Sequence, residues 1–158
     1  MIKVMFVCHG NICRSPMAEM ILKEMVRQRG IAEQFMIASS ATSTEEIIGG
    51  YGNPIYPPAQ AALNSHGIPY EKHRAVQLKK SDYAAYDYLI AMDQLNLRNM
   101  KRIIGNDTER KVHLLLDFTD TPRDVADPWF TGNFERTFDD ITRGCEGFLQ
   151  YLKLEGLL

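Results

Sequence analysis

The sequence predicts a doubly wound α/β fold: a central parallel sheet of four strands, helices on both faces, and one domain over residues 1–158. Three observations carry this. Apolar, β-branched runs alternate along the chain with stretches of helical periodicity, a pattern that pairs strands in parallel. The first run, Ile2 to Val7, is apolar apart from Lys3, as expected of a strand buried on both faces. The length of 158 residues, with 45% hydrophobic and 24% charged side chains, suits one sizeable core.

The elements follow in order. After the first strand comes a short loop, Cys8 to Arg14. Ser15 then reads as a helix N-cap and Pro16 as the first helical residue. Met17, Ala18, Ile21, Leu22, Met25 and Val26 form that helix's apolar face, Glu19, Lys23, Glu24, Arg27 and Gln28 its polar one, and Gly30 stops it. Phe35 to Ser39 is the second strand. Ser40 to Pro58, rich in Gly, Pro, Ser and Thr, reads as one long irregular loop, and a helix runs from there to His66 and ends at Gly67. Ser81 caps a short helical turn. Tyr88 to Met92 is the third strand, Gln94 to Ile104 a helix closed by Gly105 and Asn106, and Val112 to Leu116 the last strand. A loop from Asp117 to Thr131 carries Asp120, Asp124 and Asp127. The final helix is the clearest: Phe134, Phe138, Ile141, Cys145, Phe148 and Leu152 lay one stripe along it.

Several function classes drop out. A formal net charge of −2 gives no basic footprint for nucleic acid or an anionic membrane, so any anion site must be local. Met1 to Val7 is too short for a signal peptide, and no stretch approaches the roughly 18 to 20 apolar residues of a membrane span. Three cysteines, an odd number, argue against a secreted disulfide framework, so a cytoplasmic location is expected. The four histidines show no metal-ligand spacing with the cysteines, and neither a metal nor another cofactor is expected.

The chemistry concentrates in Cys8-His9-Gly10-Asn11-Ile12-Cys13-Arg14-Ser15-Pro16. A strand end, a tight loop and a helix N-terminus together make an anion cradle, because unpaired N–H groups and the helix dipole converge there. Gly10 lets the backbone turn inward so that its amides converge, His9 lines the mouth, and Arg14 supplies a planar fork for two phosphate oxygens. Cys8 faces the same cavity, where helix, amides and Arg14 favour the thiolate, the nucleophilic form. Ser15 can donate a hydrogen bond to the sulfur. A Cys followed six residues later by an Arg is weak by itself. The alternative, an inert core Cys8 with a surface Arg14, is opposed by the strand before, the glycine inside and the Ser-Pro after.

With the Cys-x-Gly-Asn-x-Cys-Arg-Ser-Pro motif near its N-terminus, the chain resembles the low-molecular-weight protein tyrosine phosphatases along essentially its whole length. Asp127-Pro128-Trp129 sits where that family carries its Asp-Pro-aromatic general-acid loop. Ser39-Ser40-Ala41-Thr42-Ser43, Ser65-His66-Gly67-Ile68 and Tyr88-Leu89-Ile90-Ala91-Met92-Asp93 also match. The resemblance implies Cys8 as nucleophile, Arg14 as phosphate clamp and Asp127 as acid. It also implies Asn11, Ser15, Ser39 and His66 as hydrogen-bonding supports of the loop. The implied substrate is a phosphotyrosine protein or peptide, the product inorganic phosphate. Asp120 and Asp124 compete for the acid's role, but only Asp127 precedes Pro and an aromatic. Cys13, so close to Cys8, is a candidate for a protective disulfide or a packed thiol.

The chain also departs from the family pattern. Trp129 and Phe130 stand where two tyrosines are frequent, keeping a ring wall without its hydroxyls. The stretch from Thr44 to Pro54 lacks an early aromatic; Glu45 and Glu46 lie there, and Tyr51 is the candidate replacement. An arsenate reductase relative would need redox cysteines between Ile68 and Leu116, and there are none. An arginine phosphatase tends to carry threonine where Ile12 stands, and apolar Ile12 better suits a phenol ring. A non-catalytic phosphate-binding module would need no acid at Asp127.

Overall fold

The computed structural model describes residues 1–158. Strand β1 (Ile2–Cys8) leads through a loop into helix α1 (Arg14–Gln28) and strand β2 (Phe35–Ala41). A two-strand hairpin, β3 (Ile47–Ile48) and β4 (Tyr51–Gly52), precedes α2 (Pro57–Ser65) and the single turn α3 (Asp82–Ala85). Then come β5 (Tyr88–Ala91), α4 (Gln94–Ile104), β6 (Val112–Leu114), a short α5 (Pro128–Thr131) and the long α6 (Phe134–Leu154).

The main sheet has the order β2-β1-β5-β6, all neighbours parallel. Strand β1 is central, and its residues alternate between two cores as the pleat requires. Val4, Phe6 and Cys8 face the larger core with α1, α2 and α6; Met5 and Val7 face the smaller one with α4. The chain moves outward from β1 to β2, then crosses back to β5. The carboxyl end of β1 is therefore the switch point where a doubly wound sheet opens a crevice. No helix is long and apolar enough to cross a membrane.

Five expectations need correction. Helix α1 starts at Arg14, with Cys13 at its N-cap and no side-chain cap, because the Ser15 hydroxyl is engaged elsewhere. Its polar face is not solvated either: Glu19 and Glu24 are buried. The Ser40–Pro58 stretch is not wholly irregular. Strand β2 runs on to Ala41, which takes the Leu78 N–H on its carbonyl and donates to the Val76 carbonyl, and the β3–β4 hairpin follows. Ser81 caps nothing; Asp82 instead accepts from the Lys79 N–H. Finally, β6 ends at Leu114 and the chain tightens into a 3-10 turn, Leu115–Phe118, tucked under α6. Gly144 and Gly147 make that approach possible, since a Cβ at either would collide with Leu115 or the Phe118 carbonyl.

Candidate active site

Cys8 ends β1 on the larger-core side, and the loop His9 to Cys13 curls over it. The left-handed residue of this loop is Asn11, with φ 59°, rather than Gly10. Asparagine tolerates that conformation better than most side chains. Gly10 sits where space is tight: a Cβ there would lie 3.1 Å from Glu46 Cγ, so that side chain would have to give by a few tenths of an ångström.

Asn11 is fully buried and uses its whole amide. Its Oδ1 accepts from Val76 N–H at 3.0 Å and from His73 Nε2 at 3.0 Å. Its Nδ2 donates to Ser15 Oγ at 2.8 Å and to Ser39 Oγ at 2.9 Å. Ser39 Oγ donates in turn to Glu19 Oε1 at 2.6 Å, and Lys23 balances Glu19 at 2.6 Å. These directions decide what Ser15 does. Its Oγ accepts from Asn11 Nδ2, so its one hydroxyl hydrogen is free for Cys8 Sγ at 2.9 Å. The Asn11 N–H gives the sulfur a second donor at 3.3 Å.

Arg14 is 5% exposed and held on three sides. Nη1 reaches Asp93 Oδ2 at 2.9 Å and the Val125 carbonyl at 3.2 Å, and Nη2 reaches Asp127 Oδ2 at 3.4 Å. Burial works against its charge, but the negative charges at Cys8, Asp93 and Asp127 outweigh it and hold the guanidinium more firmly protonated than usual. Sequence reasoning gave Asp93 no role beyond matching a family motif. Its position, the first polar residue after a buried strand, was the available signal. It also N-caps α4 by accepting from Asn96 N–H at 2.8 Å.

Asp127 N-caps α5 through the Trp129 N–H at 3.1 Å, which leaves Oδ2 for the cleft. Trp129 and Phe130 stand exposed at the rim, and Trp129 leans on Tyr56 with ring centroids 5.0 Å apart. The cleft has a volume of about 910 Å³ and takes in Cys8 through Arg14, Asp93, Asp127, Trp129 and Phe130. Ile12, 7% exposed, lies on its wall. Cys13 is buried, and burial, with Cys8 next, pushes its thiol well above the ordinary range despite the opposing pull of Arg14. All three cysteines are free. No group of His, Cys, Asp or Glu is arranged to hold a metal ion.

The structure moves one expected support. His66 is remote from the loop: at the end of α2 it stacks on Phe138, centroids 3.9 Å apart, and bonds Glu135 at 2.6 Å. His73 does what His66 was expected to do, touching both the carbonyl and the side chain of Asn11. Burial lowers the basicity of His73, against the pull of Glu19, and favours the neutral ring. Tyr51 does not replace the missing aromatic; it is exposed on the hairpin, while Glu45 and Glu46 line the cleft and Glu45 holds His9 at 3.0 Å. Asp124 accepts from Gln94 N–H, and Asp120 lies outside the cleft.

The family model for low molecular weight phosphotyrosine protein phosphatase matches residues 3–157. The chain belongs to that family. Relatives in it include YfkJ, a low molecular weight protein-tyrosine-phosphatase of Bacillus subtilis, 36% identical over 98% of each chain. The human low molecular weight phosphotyrosine protein phosphatase is 36% identical over 93% of each. Among solved structures, that of Bacillus subtilis YfkJ superposes with a TM-score of 0.88 over 98% of this chain and 96% of the other. The Streptococcus pyogenes family member SP-PTP gives 0.84 at 37% identity, over 98% of both chains. The four-stranded parallel sheet with its flanking helices is thus the fold of the family.

Proposed function

We propose that this phosphatase hydrolyses phosphotyrosine in proteins or peptides, and small aryl phosphates, through a phosphocysteine intermediate on Cys8. The observation that carries the reading is the convergence on Arg14. Its guanidinium joins the Cys8 loop to the carboxylate of Asp127, 113 residues away in sequence.

In the first step, the Cys8 sulfur forms a bond to phosphorus in line with the departing phenol oxygen. The P–O bond breaks, and Asp127 gives that oxygen its proton. Arg14 and the loop amides hold the charge on the equatorial oxygens, which needs no proton movement and is the main electrostatic contribution. In the second step, Asp127, now a carboxylate, takes a proton from water as the water attacks phosphorus. The S–P bond breaks, its electron pair returns to sulfur, and inorganic phosphate leaves. Ser15 supports this by donating to the sulfur at 2.9 Å.

Ile12 on the wall and Trp129 and Phe130 at the rim suit an aromatic leaving group better than a guanidinium. A Drosophila arginine phosphatase, 30% identical with a TM-score of 0.84, makes phosphoarginine the rival to test. Parallel assays on phosphotyrosine and phosphoarginine decide between them. A kcat/KM at least ten-fold higher for phosphotyrosine supports the reading, and the reverse order overturns it.

A further inference from the structure

Asp140 takes no part in the chemistry above, yet at 2% exposure it is the least exposed carboxylate of the chain. It lies on α6, one turn beyond the fully buried Thr137. Asp140 accepts both prongs of Arg123, at 2.9 Å on Oδ2 and 2.6 Å on Oδ1. Oδ2 also accepts the Ala126 N–H at 3.0 Å. Thr137 Oγ1 donates to the Ala126 carbonyl at 2.8 Å. Ala126 is the residue immediately before Asp127, and one face of α6 therefore holds both of its backbone polar groups. The neighbours are held as well: Val125 through Arg14 and the Met92 carbonyl, and Asp124 through its carbonyl to Arg123 at 2.9 Å.

This is more than a surface ion pair. Burial opposes the ionised form of Asp140, but the Arg123 bonds and the Ala126 N–H outweigh it and keep the carboxyl below the usual aspartate range. A buried carboxylate with three donors is a rigid anchor, because losing one partner leaves the others unpaired. Its tether ends one peptide from the side chain that must deliver a proton. Displacement of a reacting group by about 1 Å can cost on the order of 10²-fold in rate.

We propose that Asp140, acting through Arg123 and the backbone of Ala126, is a positioning residue that sets where Asp127 stands in the cleft. The inference rests on Asp127 being the general acid. A proton donor matters most when the leaving group is poor, and that supplies a readout which a merely structural role would not move.

The test compares Asp140→Asn, Arg123→Gln and Asp127→Ala with the parent chain on phenyl phosphate, a poor leaving group, and 4-nitrophenyl phosphate, a good one. For Asp140→Asn and Arg123→Gln, kcat on phenyl phosphate is expected to fall about ten-fold further than on 4-nitrophenyl phosphate. The double variant should be no worse than the poorer single. Inhibition by inorganic phosphate should stay within about two-fold, since Arg14 keeps Asp93 as partner. Equal losses on both substrates overturn the proposal. Should Asp140→Asn not fold, Arg123→Gln, whose side chain is 40% exposed, decides the question alone. If Asp127→Ala itself shows no leaving-group dependence, the reading of Asp127 fails first; if it does and the other two do not, only this inference fails.

Discussion

Asp127 Oδ2 lies 3.4 Å from Nη2 of Arg14, so the proposed proton donor is tethered to the proposed phosphate clamp before any substrate arrives. A phosphoryl oxygen entering the cleft would compete with Asp127 for that guanidinium and release the carboxyl toward the leaving group. Asp127→Ala should therefore lose about 10²- to 10⁴-fold in kcat on phenyl phosphate, and much less on 4-nitrophenyl phosphate. Steady-state kinetics on both substrates checks this.

Ser15→Ala removes the hydroxyl whose only free proton points at Cys8 Sγ. A hydrogen bond to a charged group contributes about 1.5–3 kcal/mol, so kcat should fall by roughly 10- to 150-fold. The loss should be similar for good and poor leaving groups, because the sulfur rather than the phenol is affected.

Asn11→Ala should destabilise the fold as well as the site. Alanine at φ 59° is strained by about 1–2 kcal/mol, and Val76, His73, Ser15 and Ser39 lose their partner. A total of about 3 kcal/mol or more is expected. Asn11→Gly relieves the strain alone and should recover about 1–2 kcal/mol of it in urea unfolding.

Acid should loosen the loop through His73. Its folded-state basicity is lowered, so in acid the unfolded chain takes up the proton first. The stability it contributes is complete above the unfolded value of about 6.5 and is lost as pH falls through the lower folded value. The Tm advantage of the parent chain over His73→Gln should shrink between pH 7.5 and pH 5.5 (about two units spanning that value). An advantage that grows on acidification would contradict the neutral, buried ring.

The sheet, its parallel order and the stripe of α6 were legible because hydrophobic periodicity is local and survives burial unchanged. Cys8, Arg14 and Asp127 were legible as a motif, and the structure brings them to one cleft. What the sequence hid was set by long-range hydrogen bonding. Ser15 offered two readings, N-cap and donor to Cys8, and only the fold decides against the cap and for the sulfur seven residues back. His66 and His73 carry similar weight as letters. Only the path of the chain after α2 decides that His73 reaches Asn11 while His66 settles on Phe138. Asp93 is unremarkable until Arg14 needs a partner in a buried site.

The most direct test is the bond that Cys8 is said to form. Rapid mixing of the phosphatase with an excess of 4-nitrophenyl phosphate, followed by acid quench and peptide mass spectrometry, should find one phosphoryl group on the peptide carrying Cys8. Asp127→Ala, slowed in hydrolysing the intermediate, should accumulate more of it, and Cys8→Ser should show neither label nor turnover. A burst of nitrophenol with no phosphoryl group on Cys8, or turnover retained in Cys8→Ser, would contradict the account.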